Sequence, residues 1–181
     1  MNIAQGLLLA FAGHQAVAAG SEMAERKRLF AEAHGLAAER GKPVLVVGRP
    51  VHVALEYPCA TDVTLDLNPA VLETCPVGGV VADVRSIPYR DKHFGAVLVS
   101  HVLEHMADLE DAQLAWAELW RVSDTVLVAY PRKGFIRNWV HGDHHLWTYP
   151  QEDGTLLVEE RHLPARRALI YPNGEALVWS R

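Results

Sequence analysis

The stretch VVADVRSIPYRDKHFGAVLVSHVLEHM, residues 80–106, decides how the chain is read. Val80, Val81 and Ala82 make a short apolar run that ends on Asp83. Ile87 and Pro88 open a turn whose polar centre is Arg90, Asp91 and Lys92. Phe94 and Gly95 lead into AVLV, residues 96–99, an apolar run of the length of a strand buried on both faces. Ser100 and His101 stand just past its carboxyl end, and Leu103, Glu104 and His105 carry on in helical pattern. In an open parallel sheet, ligands sit outside the carboxyl ends of the strands. Asp83, Ser100 and His101 would all project there.

Outward from this centre, further elements fall into place. Residues 44–47, VLVV, have strong strand propensity and end at Gly48. Residues 63–67, VTLDL, alternate as a second strand with Asp66 near its end. Ser21 is a plausible N-cap for a helix over residues 21–40, with Met23, Phe30 and Leu36 inward and Glu22 and Arg26 on a solvated face. Residues 108–122 are helical, with Leu109, Ala112, Trp116, Leu119 and Trp120 on one apolar face. A strand over 125–130 follows. Near the end, Asn173-Gly174 between alternating apolar runs predicts a hairpin.

With 181 residues the chain has the length of one domain with a full core. Its net charge of −5 argues against a general nucleic-acid-binding surface, because phosphate contacts need clustered Lys and Arg. Cys59 and Cys75 form no CxxC pair, so neither a zinc knuckle nor a disulfide framework is expected. A cytoplasmic, reducing location fits.

Residues 3–19 carry no charged residue beyond His14. A run of about 17 residues is at the short limit for crossing a bilayer. Gln5, Gly6, Gly13, His14 and Gln15 interrupt it, and the absence of a preceding basic residue fits a signal peptide badly. Arg26, Lys27 and Arg28 would leave the rest on the cytoplasmic side of a membrane. Two readings stand level. Residues 1–20 are a membrane anchor or a docking helix for a protein partner, or they are a helix packed on the α/β domain of residues 21–181.

Residues 80–106 closely resemble the middle of class I S-adenosylmethionine-dependent methyltransferases of the methyltransferase-domain kind. The resemblance rests on Asp83, the Pro88-Tyr89 turn, Asp91, Phe94, the strand 96–99 and the run SHVLEH at 100–105, and it extends over roughly residues 42–130. It implies an α/β fold with a Rossmann-like, mostly parallel sheet flanked by helices, here trimmed and closed by a C-terminal antiparallel β-hairpin. It also implies S-adenosylmethionine as cofactor and methyl transfer to an acceptor substrate that the sequence does not identify.

The resemblance further assigns cofactor roles to Gly48, Asp66, Asp83, Val84 and Ser100. Asp66 would hold the ribose hydroxyls; alternatively it caps the helix opening at Pro69. Asp83 would accept from the adenine amino group, with the Val84 N–H against the ring; alternatively Asp83 forms a turn. His101 and His105 could act as general base, or could line and cap the site. The family pattern after the first strand is roughly acidic-x-Gly-x-Gly, whereas this chain reads Val46-Val47-Gly48-Arg49-Pro50. Val46 replaces the acid, and Pro50, with no N–H, replaces the second glycine. That departure supports a second reading, a catalytically silent scaffold or accessory subunit on a membrane or larger complex.

Residues 132–147 are chemically dense. By resemblance this loop overhangs the acceptor site, with Trp139, His141, His144 and His145 as contacts. His141, Asp143, His144 and His145 hold enough ligand atoms for a divalent metal. Adjacent histidines on an irregular loop lack the i, i+4 geometry of HExxH, so no metal is expected there.

Overall fold

The computed structural model describes residues 3–48, 62–73, 78–162 and 164–180. Arg49 and Pro50 of the glycine pattern, and both cysteines, lie outside the described residues.

Alternation along two central strands sets the layers. β1 (Val44–Val47) and β4 (Ala96–Ser100) are buried at every position, as unbroken apolar runs require. Val44, Val46, Ala96 and Leu98 pack with Leu29, Ala33 and Ala37 of α1 (Ile3–Glu39). Leu45, Val47, Val97 and Val99 face the other way, into the larger core with Trp116 and Leu119 of α3 (Leu109–Val122). At Gly95 the α1 layer comes so close that a Cβ would lie 2.6 Å from the Ala37 Cα.

β2 (Val63–Asp66), β3 (Gly79–Val81) and β5 (Val126–Ala129) complete a five-stranded sheet of order β3-β2-β1-β4-β5. All four pairings are parallel. The order reverses between β1 and β4, the switch point at which such sheets open a crevice. The short α2 (Pro69–Leu72) follows β2 and is capped by Asn68, whose side chain accepts from the Ala70 N–H.

The predicted break at Ser21 is absent. α1 runs unbroken for 37 residues, and the Ser21 hydroxyl donates to the Ala18 carbonyl at 2.8 Å instead of capping a new helix. The inward stripe also differs from the expected one. Leu29, Ala33 and Ala37, spaced by four, are buried, while Phe30 and Leu36 pack at its border. Glu22 is not solvated; it is buried, and its Oε1 accepts from the Arg132 N–H (3.1 Å) and from Asn138 Nδ2 (2.8 Å). Gln15 likewise holds the Ile136 N–H at 2.8 Å. Leu7, Leu8 and Leu9 are exposed. Among the described residues no helix is long and apolar enough to cross a membrane.

The carboxyl-terminal part makes more than the predicted hairpin. β6 (Leu146–Pro150), β7 (Leu156–Glu160), β8 (Arg166–Ile170) and β9 (Ala176–Ser180) form an antiparallel sheet of their own. Asn173-Gly174 turns β8 into β9, with Gly174 at φ +86°. Leu146, Leu156, Val158, Ala168 and Ile170 join α3 in the larger core. Leu146 and Trp147, read as the end of the 132–147 loop, are thus strand.

Candidate functional site

At the switch point the strand ends open into a cavity of about 550 Å³, within the usual range for small-molecule sites. Its lining brings together Gly48, Asp66, Val84, Ser100, His101 and His105. Gly48 ends β1 with φ +76°, and a side chain there would collide with Val102 and stand 2.8 Å from the Ser100 carbonyl oxygen. Only glycine adopts this conformation in that space without strain. Its N–H donates to the Leu65 carbonyl at 3.0 Å, which ties the end of β1 to β2.

Asp66 sits at the end of β2, on the cavity. Its Oδ1 accepts from the Asn68 N–H at 2.8 Å, so it braces the turn, while the cap of α2 belongs to Asn68. Ser100 is buried, and its Oγ has no hydrogen-bond partner among the described residues. Val46 is packed toward α1 and does not line the cavity.

Asp83 is not in the lining. Its carboxylate is taken by Arg85, through Nη2 at 2.5 Å and Nε at 3.0 and 3.1 Å, and it also accepts from the Arg85 N–H at 2.8 Å. Arg85 Nη1 reaches on to Asp111 of α3 at 2.6 Å. The Arg85 guanidinium holds the Asp83 carboxyl below the usual carboxylate range. The local turn reading of Asp83 therefore matches what the residue does, with a clamp to α3 added.

His101 has φ +53°, rare for a residue with a β-carbon. Its N–H donates to the Ala129 carbonyl at 2.9 Å, and its Nδ1 lies 3.1 Å from Glu104 Oε1. The helical pattern read after Ser100 is only a 3₁₀ turn, Leu103–His105. His105 Nδ1 lies 3.0 Å from the Asp143 carbonyl oxygen, which can only accept. That contact makes Nδ1 the protonated nitrogen and leaves Nε2 basic.

The loop residues divide. Trp139, His141 and His144 line a second hollow of about 300 Å³ together with Trp147 and Arg161. His145 is elsewhere; its N–H donates to the Glu104 carbonyl at 2.8 Å and its ring is 6.0 Å from that of His162. His144 is buried, which pushes its imidazole down to about 4. Its ring stacks on His141 at 4.5 Å and meets His105 edge-on at 4.8 Å.

Sequence reasoning missed Glu104 altogether. It is 1% exposed, inside a run that reads as the polar side of a helix start, where acids are normally solvated. Its burial has no local signal.

The donor set fits a nucleoside-bearing cofactor in part. Gly48 with its close backbone approach, Asp66 at the end of β2, Ser100 and the apolar Val84 all line one cavity. The carboxylate expected for the adenine amino group is engaged elsewhere.

Residues 47–125 match the profile of the family described as "Methyltransferase domain". The match covers less than half of the chain and shows a likeness to that family over this stretch. The matched stretch runs from the last residue of β1 to just before β5 and includes the ends of β1, β2 and β4 on the main cavity. No curated protein matches the chain.

Solved structures similar to the chain include the N-methyltransferase NodS from Bradyrhizobium japonicum WM9. It is 12% identical with a TM-score of 0.49, over 85% of this chain and 93% of that one. DesVI from Streptomyces venezuelae is 14% identical with a TM-score of 0.48, over 100% of this chain and 82% of that one. CalS10 from Micromonospora echinaspora, an amino pentose methyltransferase with SAM bound, is 16% identical with a TM-score of 0.47, over 100% and 80%. Similarity at that level says nothing of activity.

Proposed function

We propose that the chain binds S-adenosylmethionine in the main cavity and transfers its methyl group to an acceptor N–H or O–H. The observation that carries this is the meeting of Gly48, Asp66 and Ser100 on one cavity of about 550 Å³ at the β1/β4 switch point. When bound, the cofactor supplies an electrophilic methyl group on a sulfonium sulfur.

The chain's own residues would do the rest by binding and orientation, the main requirements of such a displacement. The Asp66 carboxylate would accept from ribose hydroxyls, and Gly48 would let the backbone approach without a side chain in the way. Val84 would flank the base. Asp83 would have to leave Arg85 to reach an adenine amino group. His101 is the proton acceptor we favour, because it stands on the cavity beside Gly48 and is held in a strained backbone conformation, a feature that clusters at working sites. The second hollow, walled by Trp139, His141, His144 and Trp147, would hold a part of the acceptor remote from its reacting atom.

Calorimetric titration of the full chain with S-adenosylmethionine and S-adenosylhomocysteine tests the reading. Saturable binding, at least about tenfold weaker in Asp66→Ala, is expected; about 1.4 kcal/mol corresponds to that factor. A folded chain that takes up neither ligand at millimolar concentration would overturn it. The second reading, an accessory subunit docked through α1, draws on the exposed Leu7, Leu8, Leu9 and Phe11 and would gain from that failure.

A further inference from the structure

We infer that Glu104, His105 and His144 form a binding site for a divalent transition ion of the zinc class. This goes beyond the transferase reading and does not depend on it. One ligand atom from each of the three residues lies within 4.8 Å of the other two. Ligands at about 2.0–2.1 Å from a tetrahedral zinc are separated by roughly 3.3 Å, so small side-chain rotations close the set. Two imidazoles and a carboxylate with an open position are a recurrent donor set for such ions.

Two unpartnered atoms point independently to a ligand. Glu104 is 1% exposed and His144 is 6% exposed. Glu104 Oε1 and His144 Nδ1 are buried with no hydrogen-bond partner among the described residues. The 3.1 Å approach of His101 Nδ1 to Glu104 Oε1 does not meet hydrogen-bond geometry. Burying such atoms unpaired is costly, and a cation would satisfy both.

The surroundings orient the ligands. The Asp143 carbonyl accepts a hydrogen bond from the His105 Nδ1–H and leaves Nε2 as the nitrogen with the lone pair, the usual second contact of a metal-binding histidine. The Glu104 carbonyl accepts from the His145 N–H at 2.8 Å, so the 3₁₀ turn and the His144 loop are already fastened together. His105 lines the main cavity and His144 the second hollow, which places the ion in the partition between them. His141, Asp143 and His144 form an overlapping set, but two of its members are exposed and the His141 and Asp143 side chains already bond each other.

The test uses tag-free, chelator-treated full chain titrated with Zn²⁺ by calorimetry and with Co²⁺ by visible absorption. One equivalent is expected, with the d–d bands of low-coordinate Co²⁺. Affinity should fall at least about tenfold in Glu104→Gln and in His144→Ala, with little change in His141→Ala. Urea midpoints of the metal-free variants check folding; should His144→Ala not fold, the near-isosteric Glu104→Gln carries the test. No uptake by the folded chain overturns the site, and so does binding lost in His141→Ala but kept in Glu104→Gln.

Discussion

Gly48 and Ser100 meet across the switch point so closely that a methyl group on Gly48 would lie 2.8 Å from the Ser100 carbonyl oxygen. The contact joins the tips of the two central strands and shapes the floor of the main cavity. Gly48→Ala is therefore expected to be destabilising by about 1–3 kcal/mol from backbone strain alone, with the collision added. Urea denaturation of the two proteins checks this; equal midpoints would show that the strand tip can open without cost.

The clamp at Asp83 gives the protein an acid-side weakness. Arg85 holds the Asp83 carboxyl below its ordinary value, so the folded state keeps the carboxylate charged at pH values where the unfolded chain begins to protonate it. Its contribution is present above the unfolded value and is lost as pH falls from there through the lower folded one. Asp83→Asn should shrink the pH slope of stability in that window and leave the slope near neutrality unchanged. Urea midpoints across the acid range measure it.

His101 carries backbone strain that glycine would not. With φ +53°, relief on going to glycine is worth about 1 kcal/mol, and the loss of side-chain packing offsets part of it. His101→Gly is expected to match the parent in stability within about 1 kcal/mol while methyl transfer is lost and cofactor affinity is kept. A strong fall in melting temperature would instead mark His101 as a structural residue.

Glu22 fastens the loop above the second hollow to α1 through the Arg132 N–H and Asn138 Nδ2. Removing the acceptor leaves these donors without it, at a cost of about 1–3 kcal/mol. In Glu22→Ala, amide hydrogen exchange should quicken over residues 132–140 while the central strands stay protected. Unchanged exchange in that loop would show that the bonds do not hold it.

Much of the scaffold was legible because its determinants are local. The all-apolar run at 96–99, the helical spacing of Leu109, Ala112, Trp116 and Leu119, and Asn173-Gly174 each report the path of the backbone within a few residues. Period and turn chemistry act over that same distance, so the strands and the position of Asp66 at a strand tip followed from residue order, while the parallel arrangement was what the family resemblance implied. The continuity of α1 did not, because Ser21 can bond back to Ala18 or cap forward with equal local sense.

Partner choice was decided in three dimensions. Asp83 was free in the sequence to meet a ligand, and Arg85 with Asp111 claimed it. Glu104 carried no role in the sequence, and the fold set it beside His144, 40 residues away in the chain. Hydrophobic pattern tells a segment which face to bury, whereas a charged or titratable group answers to whatever the finished fold places within a few ångströms. Residue order alone therefore determined the strands, the helix after them and the closing turn, and the folded chain alone determined which acids and histidines face one another at the strand ends.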